Sequence, residues 1–223
     1  MSETAPAAAT SPELVCVTAR ALCGEPLTRR LERLVASSHA PAAVILREKD
    51  LAPDDYRALA AETLRLCRRH GVRCILHTFA EVALELRPDA LHLPLPTLRG
   101  LDEGVRRRLP PLGASCHSVE DIREASALGC AYVTAGHIFD TDCKRGLPGR
   151  GLEFLARACA ASPVPVYAIG GITPERLPDV LAAGARGVCV MGALMRCPDP
   201  DALLRQFCPP KESPQKTQTI QKN

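Results

Sequence analysis

The chain has 223 residues, of which 46% are hydrophobic and 24% charged; its aromatics are four Phe and three Tyr, with no Trp. A chain of this size buries roughly 70% of its unfolded surface and fits one domain, with no need of disulfides or a metal to hold a core. The formal net charge is +3, and Lys211, Glu212, Lys216 and Lys222 account for two of those charges. So small an excess excludes a nucleic-acid partner.

Cysteine usage sets the second bound. Eleven Cys is an odd number, and none of them falls in a C-x-x-C or a His/Cys cluster with zinc spacing. Free thiols in a reducing, cytoplasmic setting are expected, most of them packed as small hydrophobes, as Cys16, Cys74 and Cys189 are within apolar runs. No run approaches the ~20 apolar residues of a membrane helix, so no membrane partner is expected. The opening MSETAPAAATSP has an acid and no apolar h-region, unlike a secretory signal.

Residues 1–12 and 209–223 are rich in Pro and polar residues and read as flexible tails around one folded unit, 13–208. Within it, short apolar runs predict strands at 14–19, 43–47, 73–77, 90–93, 112–117, 132–138, 164–169 and 187–191. Their continuous apolar character is that of parallel strands covered on both faces. Helical spacing appears between them at 54–70, 119–128, 152–161, 174–183 and 199–207. Thr173-Pro174 and Ser118, with Glu120 and Asp121 behind it, mark helix starts; Gly129 and Gly184 mark ends. Arg106, Arg107 and Arg108 read as the solvated face of a further helix. Strict alternation of eight strands with about as many helices predicts a single (β/α)8 TIM barrel, with a doubly wound sheet as the alternative. A barrel places functional residues at the carboxyl ends of strands.

The unusual residues cluster there. VPVYAIGGITPE and GVCVMGALM end the last two strands in glycine, at Gly171 and Gly192, one βα unit apart. Glycine lets the backbone approach an anion, and the N–H groups opening the next helix face it, so these loops predict a phosphate cradle. Arg47 in LREKD and Lys144 in GHIFDTDCK stand after the second and sixth strands as anion contacts. His77, His92, His117 and His137 lie at successive strand ends. His117, in GASCHSVED directly before a helix start, is the best placed for proton transfer, because the helix field there favours neutral imidazole. Strand alternation turns Cys116 to the opposite face, away from chemistry.

Together LREKD, GASCHSVED, GHIFDTDCKRGLPGRG and AIGGITPERLPDVLAAGARGVCVMGALM resemble the thiamine-phosphate synthase superfamily, from about Leu14 to Phe207. The synthase branch of that superfamily couples a pyrimidine diphosphate to thiazole phosphate with magnesium. The resemblance would place Asn-Asp after the third strand and a Gly-Gln-x-Asp-like run after the fourth. This chain has His77-Thr78 and Pro94-Leu95-Pro96-Thr97 instead; Ile45 replaces a Gln, and Cys143 a Thr. GHIFDTDCK and the His-Ser after strand five look like the TenI-type thiazole tautomerase branch. That resemblance implies isomerisation of a carboxylated thiazole phosphate to its aromatic tautomer, with no metal and no cofactor. It assigns His117 as the proton carrier, with His137 as an auxiliary acid/base. Gly170, Gly171, Met191 and Gly192 form the phosphate cradle, Arg47 and Lys144 contact anionic groups, and Thr141 lines the pocket. The implied partner is a small-molecule thiazole phosphate, and self-association is left open. The alternatives are a divergent magnesium-dependent synthase and a non-catalytic thiazole-phosphate-binding regulator.

Overall fold

The computed structural model describes residues 12–207. The tails expected at 1–12 and 209–223 lie outside the described residues, Pro12 excepted. Eight parallel strands close in sequence order into a barrel: β1 Glu13–Val17, β2 Ala43–Leu46, β3 Arg73–His77, β4 Ala90–Pro94, β5 Leu112–Cys116, β6 Tyr132–Gly136, β7 Val166–Ile169 and β8 Gly187–Val190. Pairing of Glu13 with Gly187 and of Val15 with Cys189 joins β1 to β8. The closed sheet settles the fold as the TIM barrel and removes the doubly wound alternative.

Helices α1 Leu27–Val35, α2 Pro53–Arg69, α3 Ala80–Leu86, α4 Leu95–Arg99, α5 Glu103–Arg106, α6 Val119–Ala127, α7 Gly151–Ala161, α8 Leu177–Ala182, α9 Gly192–Arg196 and α10 Pro200–Phe207 form the outer ring. Alternate strand residues supply two cores. Leu14, Cys16, Val44, Leu46, Cys74 and Leu76 pack outward against helix residues such as Leu31, Leu64 and Ile122. Val15, Val17, Ala43, Ile45, Ile75 and Cys189 pack inward with Tyr167. This two-sided burial is why the strands read as unbroken apolar runs.

Several expectations are corrected. β5 stops at Cys116, so His117 stands in the loop beyond it, and β7 begins at Val166, two residues later than predicted. Only Arg106 of the arginine triplet is in α5; Arg107 caps that one-turn helix and Arg108 follows it. The hydroxyl of Thr173 caps nothing: a 3-10 turn at Pro174–Arg176 precedes α8. By contrast, Ser118 makes a full capping box. Its side chain accepts from Asp121 N at 3.0 Å, and the Asp121 carboxylate accepts from Ser118 N.

The amino end of the barrel interior is closed by polar and aromatic groups. Glu13 takes hydrogen bonds from Tyr167 at 2.9 Å and Arg186 at 2.6 Å and a further one from Arg73. Tyr132 meets Tyr167 edge to face, with ring centroids 5.7 Å apart. A Cβ on Gly113 would sit 2.2 Å from the Tyr132 ring, so the ring occupies space that only glycine leaves open. At the other end the interior opens into a cavity.

Candidate functional site

The cavity, about 880 Å³, opens at the carboxyl ends of the strands. Every residue singled out from the sequence lines it: Arg47, His117, His137, Thr141, Lys144, Gly170, Gly171, Met191 and Gly192. One mouth therefore collects residues from β2, β5, β6, β7 and β8.

His117 stands on the rim, bordering both this cavity and a shallower groove beside α6 and α7. Its backbone N–H donates to the Asp121 carboxylate at 2.7 Å. Its ring Nδ1 lies 2.7 Å from the carbonyl oxygen of Gly136. A carbonyl can only accept, so Nδ1 carries the hydrogen and the neutral ring keeps its lone pair on Nε2. Among the described residues Nε2 has no hydrogen-bond partner. The arrangement is that of an oriented base.

His137 is held differently. Its Nε2 donates to the carbonyl of Leu147 at 3.1 Å, tying the ring to the long loop after β6. That loop is anchored to the end of β7 by Ile138 N to Ile169 O (2.9 Å) and Phe139 N to Gly170 O (3.1 Å). Asp140 accepts from Gly149 N at 2.7 Å. Thr141 and Lys144 occupy the same loop, whose carbonyl of Thr141 accepts from Lys144 N at 2.9 Å. Cys143 beside them is the exposed cysteine among the described residues.

Packing alone requires the paired glycines at the end of β7. Gly170 and Gly171 both adopt positive φ, +100° and +64°. A Cβ on Gly170 would lie 2.3 Å from that of His137, and one on Gly171 would lie 2.5 Å from Asp140 O. Any side chain there would push away the β6 loop. Met191 and Gly192 open α9, whose first N–H groups have no acceptor within the helix.

Cations that the sequence reading passed over complete the mouth. Lys49 follows Arg47 by two residues, and partial burial together with the charges of Arg47 and Lys144 lowers its pKa. Three cations thus act on one region. Arg176 donates to Gly171 O at 2.6 Å while its guanidinium lies 4.4 Å from the centre of the Phe139 ring. Arg196, one turn after Gly192, reaches to 3.8 Å from Asp142. Spacing carried the signal for Lys49 and Arg196, each following an assigned residue by two or four positions.

The cavity floor is aromatic and neutral. His92 is buried, with Nδ1 3.1 Å from Tyr132 Oη and Nε2 2.9 Å from Ser115 Oγ. Burial, with help from Lys49 and Arg47, pushes its pKa down to about 3. His77, its ring 5.6 Å from that of His92, is held down to about 2 by burial, then by His92, Lys49 and Arg47. Both imidazoles are neutral at pH 7.

Magnesium bound to diphosphate wants hard oxygen donors, carboxylates above all. The ends of β3 and β4 offer His77, Thr78 and Pro94, and the carboxylates that line the cavity, Asp140 and Asp142, sit on the β6 loop. Glu48, behind Arg47, is buried and accepts the backbone N–H of Arg20 through both oxygens, at 3.0 and 3.1 Å. Among the described residues no group of three His, Cys, Asp or Glu could hold a metal. The donor set does not fit a magnesium–diphosphate site.

Cys116 is buried, and its side chain packs in the layer between sheet and helices. Burial, with smaller contributions from Asp121 and Cys130, pushes its thiol up to about 12. No thiolate forms there at neutral pH, as the alternation argument predicts.

Fold and site together define a (β/α)8-barrel protein with an electropositive cavity at the carboxyl ends of its strands, where such barrels carry their active sites. The chain belongs to the thiamine monophosphate synthase family, whose sequence model matches residues 14–194. A thiamine-phosphate synthase of Roseiflexus sp. (strain RS-1) is 36% identical over 195 residues, 85% of this chain and 80% of that one. The thiamine-phosphate synthase of Roseiflexus castenholzii is 36% identical over 170 residues, 74% of each chain. The solved thiamine phosphate pyrophosphorylase from Pyrococcus furiosus has a TM-score of 0.74 at 24% identity, covering 87% of this chain and 93% of its own, a likeness of fold. The family is one of thiamine-biosynthesis enzymes. These relatives are named synthases, and their likeness does not distinguish a tautomerase branch. No helix among the described residues is long and apolar enough to cross a membrane.

Proposed function

We propose that this family member is a thiazole tautomerase, an isomerase that moves protons on a carboxylated thiazole phosphate without a metal. The observation that carries the reading is the His117 hydrogen bond to Gly136 O, which leaves Nε2 as an oriented base beside an electropositive cavity. The misfit of magnesium at the ends of β3 and β4 supports it.

In this reading the phosphate lies against the N–H groups of Gly171 and Gly192, with cations nearby. His117 Nε2 takes the proton from ring C2. The resulting imidazolium keeps its Nδ1–H on Gly136 O, an acceptor that favours the charged ring. The imidazolium then gives a proton to the exocyclic carbon, which restores the neutral ring, and aromatisation supplies the driving force. His137, whose Nε2 donates to Leu147, holds the β6 loop, and its Nδ1 is the side that would serve in proton transfer.

A second reading, a divergent synthase, is favoured by the names of the relatives. One assay separates them. The purified protein is given the phosphorylated carboxylated tautomer in the presence of a chelator, and in parallel the aromatic thiazole phosphate, the pyrimidine diphosphate and magnesium. Formation of the aromatic tautomer under chelation is expected. Magnesium-dependent thiamine phosphate as the sole product would establish the synthase, and binding without turnover in either arm a regulatory homologue.

A further inference from the structure

β3 stands four places from β7 in the eight-strand ring, so His77 at its end faces the Gly170–Gly171 turn across the barrel. A ligand whose phosphate rests on that turn meets β3 with its far end.

The structure holds His77 with unusual care. The side chain is 4% exposed and lines the cavity. Its backbone N–H donates to Tyr56 Oη at 2.9 Å, and that hydroxyl donates in turn to Leu46 O at 2.8 Å. The next residue, Thr78, has φ +73°, which a β-branched side chain rarely adopts. Phe79 N closes a three-residue turn on His77 O at 2.9 Å, and the Phe79 ring stacks on Tyr56 with centroids 4.2 Å apart. The turn sets Thr78 Oγ1 2.5 Å from His77 Nδ1. Strain of this kind persists where surrounding structure enforces it. Among the described residues nothing hydrogen-bonds Nε2 of His77. His77 lines the cavity, so this ring nitrogen is left to bond whatever fills it.

We propose that His77 is a specificity-determining residue whose Nε2–H donates to the carboxylate of the substrate, at the end of the cavity opposite the phosphate. This inference rests on the tautomerase reading and names the group that the β3 side of that site recognises. In the complex the Thr78 hydroxyl donates to Nδ1, which places the ring proton on Nε2, the tautomer that donates to an anion. Arg47 and Lys49, whose charges act on His77, supply the attraction. The neutral imidazole supplies direction.

Equilibrium titration at pH 7.5 with two probes tests this: aromatic carboxythiazole phosphate and the same phosphate lacking the carboxylate. The wild type is expected to prefer the carboxylated probe. His77→Phe is expected to weaken that probe about 10- to 100-fold and to leave the other within about threefold, erasing the preference. His77→Gln, whose amide nitrogen reaches the position of Nε2, is expected to restore part of the preference, and His77→Asn none. These two decide the matter if the Phe variant does not fold. Preference retained in His77→Phe, or equal in the Gln and Asn variants, overturns the proposal and leaves turnover by the wild type standing. Absence of turnover with a His77-dependent preference has the opposite meaning, failing the catalytic reading and supporting this contact. Binding of neither probe by the wild type overturns both.

Discussion

His117 and Cys116 are consecutive, and the barrel wall separates their chemistry. One ring stands at the mouth with a free Nε2, while the neighbouring thiol is sealed among apolar side chains and pushed up to about 12, burial being the main cause. His117→Gln is therefore expected to lower the rate of the proposed tautomerisation about 10²- to 10⁴-fold, the range general acid–base groups contribute. Cys116→Ala is expected to leave kcat within about threefold and to cost about 1 kcal/mol of stability, read from urea midpoints. A large loss of kcat in the Cys116 variant with normal stability would reverse these roles. Sequence alone could separate the two residues because alternation is local. It could not show that His77 and His92 share one floor, since their 5.6 Å approach depends on the pairing of β3 with β4. Nor could it show that Gly136 O receives the His117 ring, a contact set by the register of β5 on β6.

At the scale of elements, α6 starts where His117, the proposed base, is held. The Asp121 carboxylate accepts from both Ser118 N (3.1 Å) and His117 N (2.7 Å), so one side chain closes the helix cap and fixes the backbone of the proposed proton carrier. Ser118→Ala removes only the acceptor for Asp121 N, and about 1 kcal/mol of stability is expected to go with it. Asp121→Ala frees His117 as well. It is expected to cost a similar stability and, unlike Ser118→Ala, to lower kcat about tenfold with little change in the midpoint between the two variants. Equal kcat in both would confine Asp121 to the helix. This cap was legible because a capping box is written in four consecutive residues, Ser118 to Asp121. Helices α3, α4 and α9, with seven, five and five residues, went unpredicted because two turns or fewer cannot display a 3.6-residue period. α1 escaped for another reason: Arg30, on its buried stripe, is 4% exposed and paired with Glu25 at 2.9 Å. A charged residue inside the apolar stripe conceals the pattern.

Across the whole molecule, the polar groups that shape the cavity also set its response to acid. His77 and His92 have folded pKa values near 2 and 3 against an ordinary 6.5, burial being the main cause in each. The unfolded chain therefore takes up protons that the native barrel refuses. The stability associated with these neutral rings is complete above about pH 6.5 and declines as pH falls below it, each ring contributing up to about 1.4 kcal/mol per pH unit. By pH 5 the two together would cost roughly 3 to 4 kcal/mol, a large part of the 5–15 kcal/mol typical of a domain. Glu13 acts in a lower window. Burial opposes its ionisation, but the Tyr167 hydrogen bond and the charges of Arg73 and Arg186 outweigh it and hold the carboxyl below its ordinary 4.5. Its stabilisation is present above that value and lost as pH falls through the lower folded one, so it leaves the interval between pH 6.5 and 5 to the histidines. Urea unfolding at half-unit steps from pH 8 to 5 is expected to give a level stability down to about 6.5 and a decline below it. His92→Gln, which keeps polar partners for Tyr132 and Ser115 but does not titrate, is expected to lower stability at pH 8 and to flatten that decline by about half. A wild-type profile level from pH 8 to 5 would mean that both rings take up protons in the native barrel as readily as in the unfolded chain, and that burial does not hold them neutral.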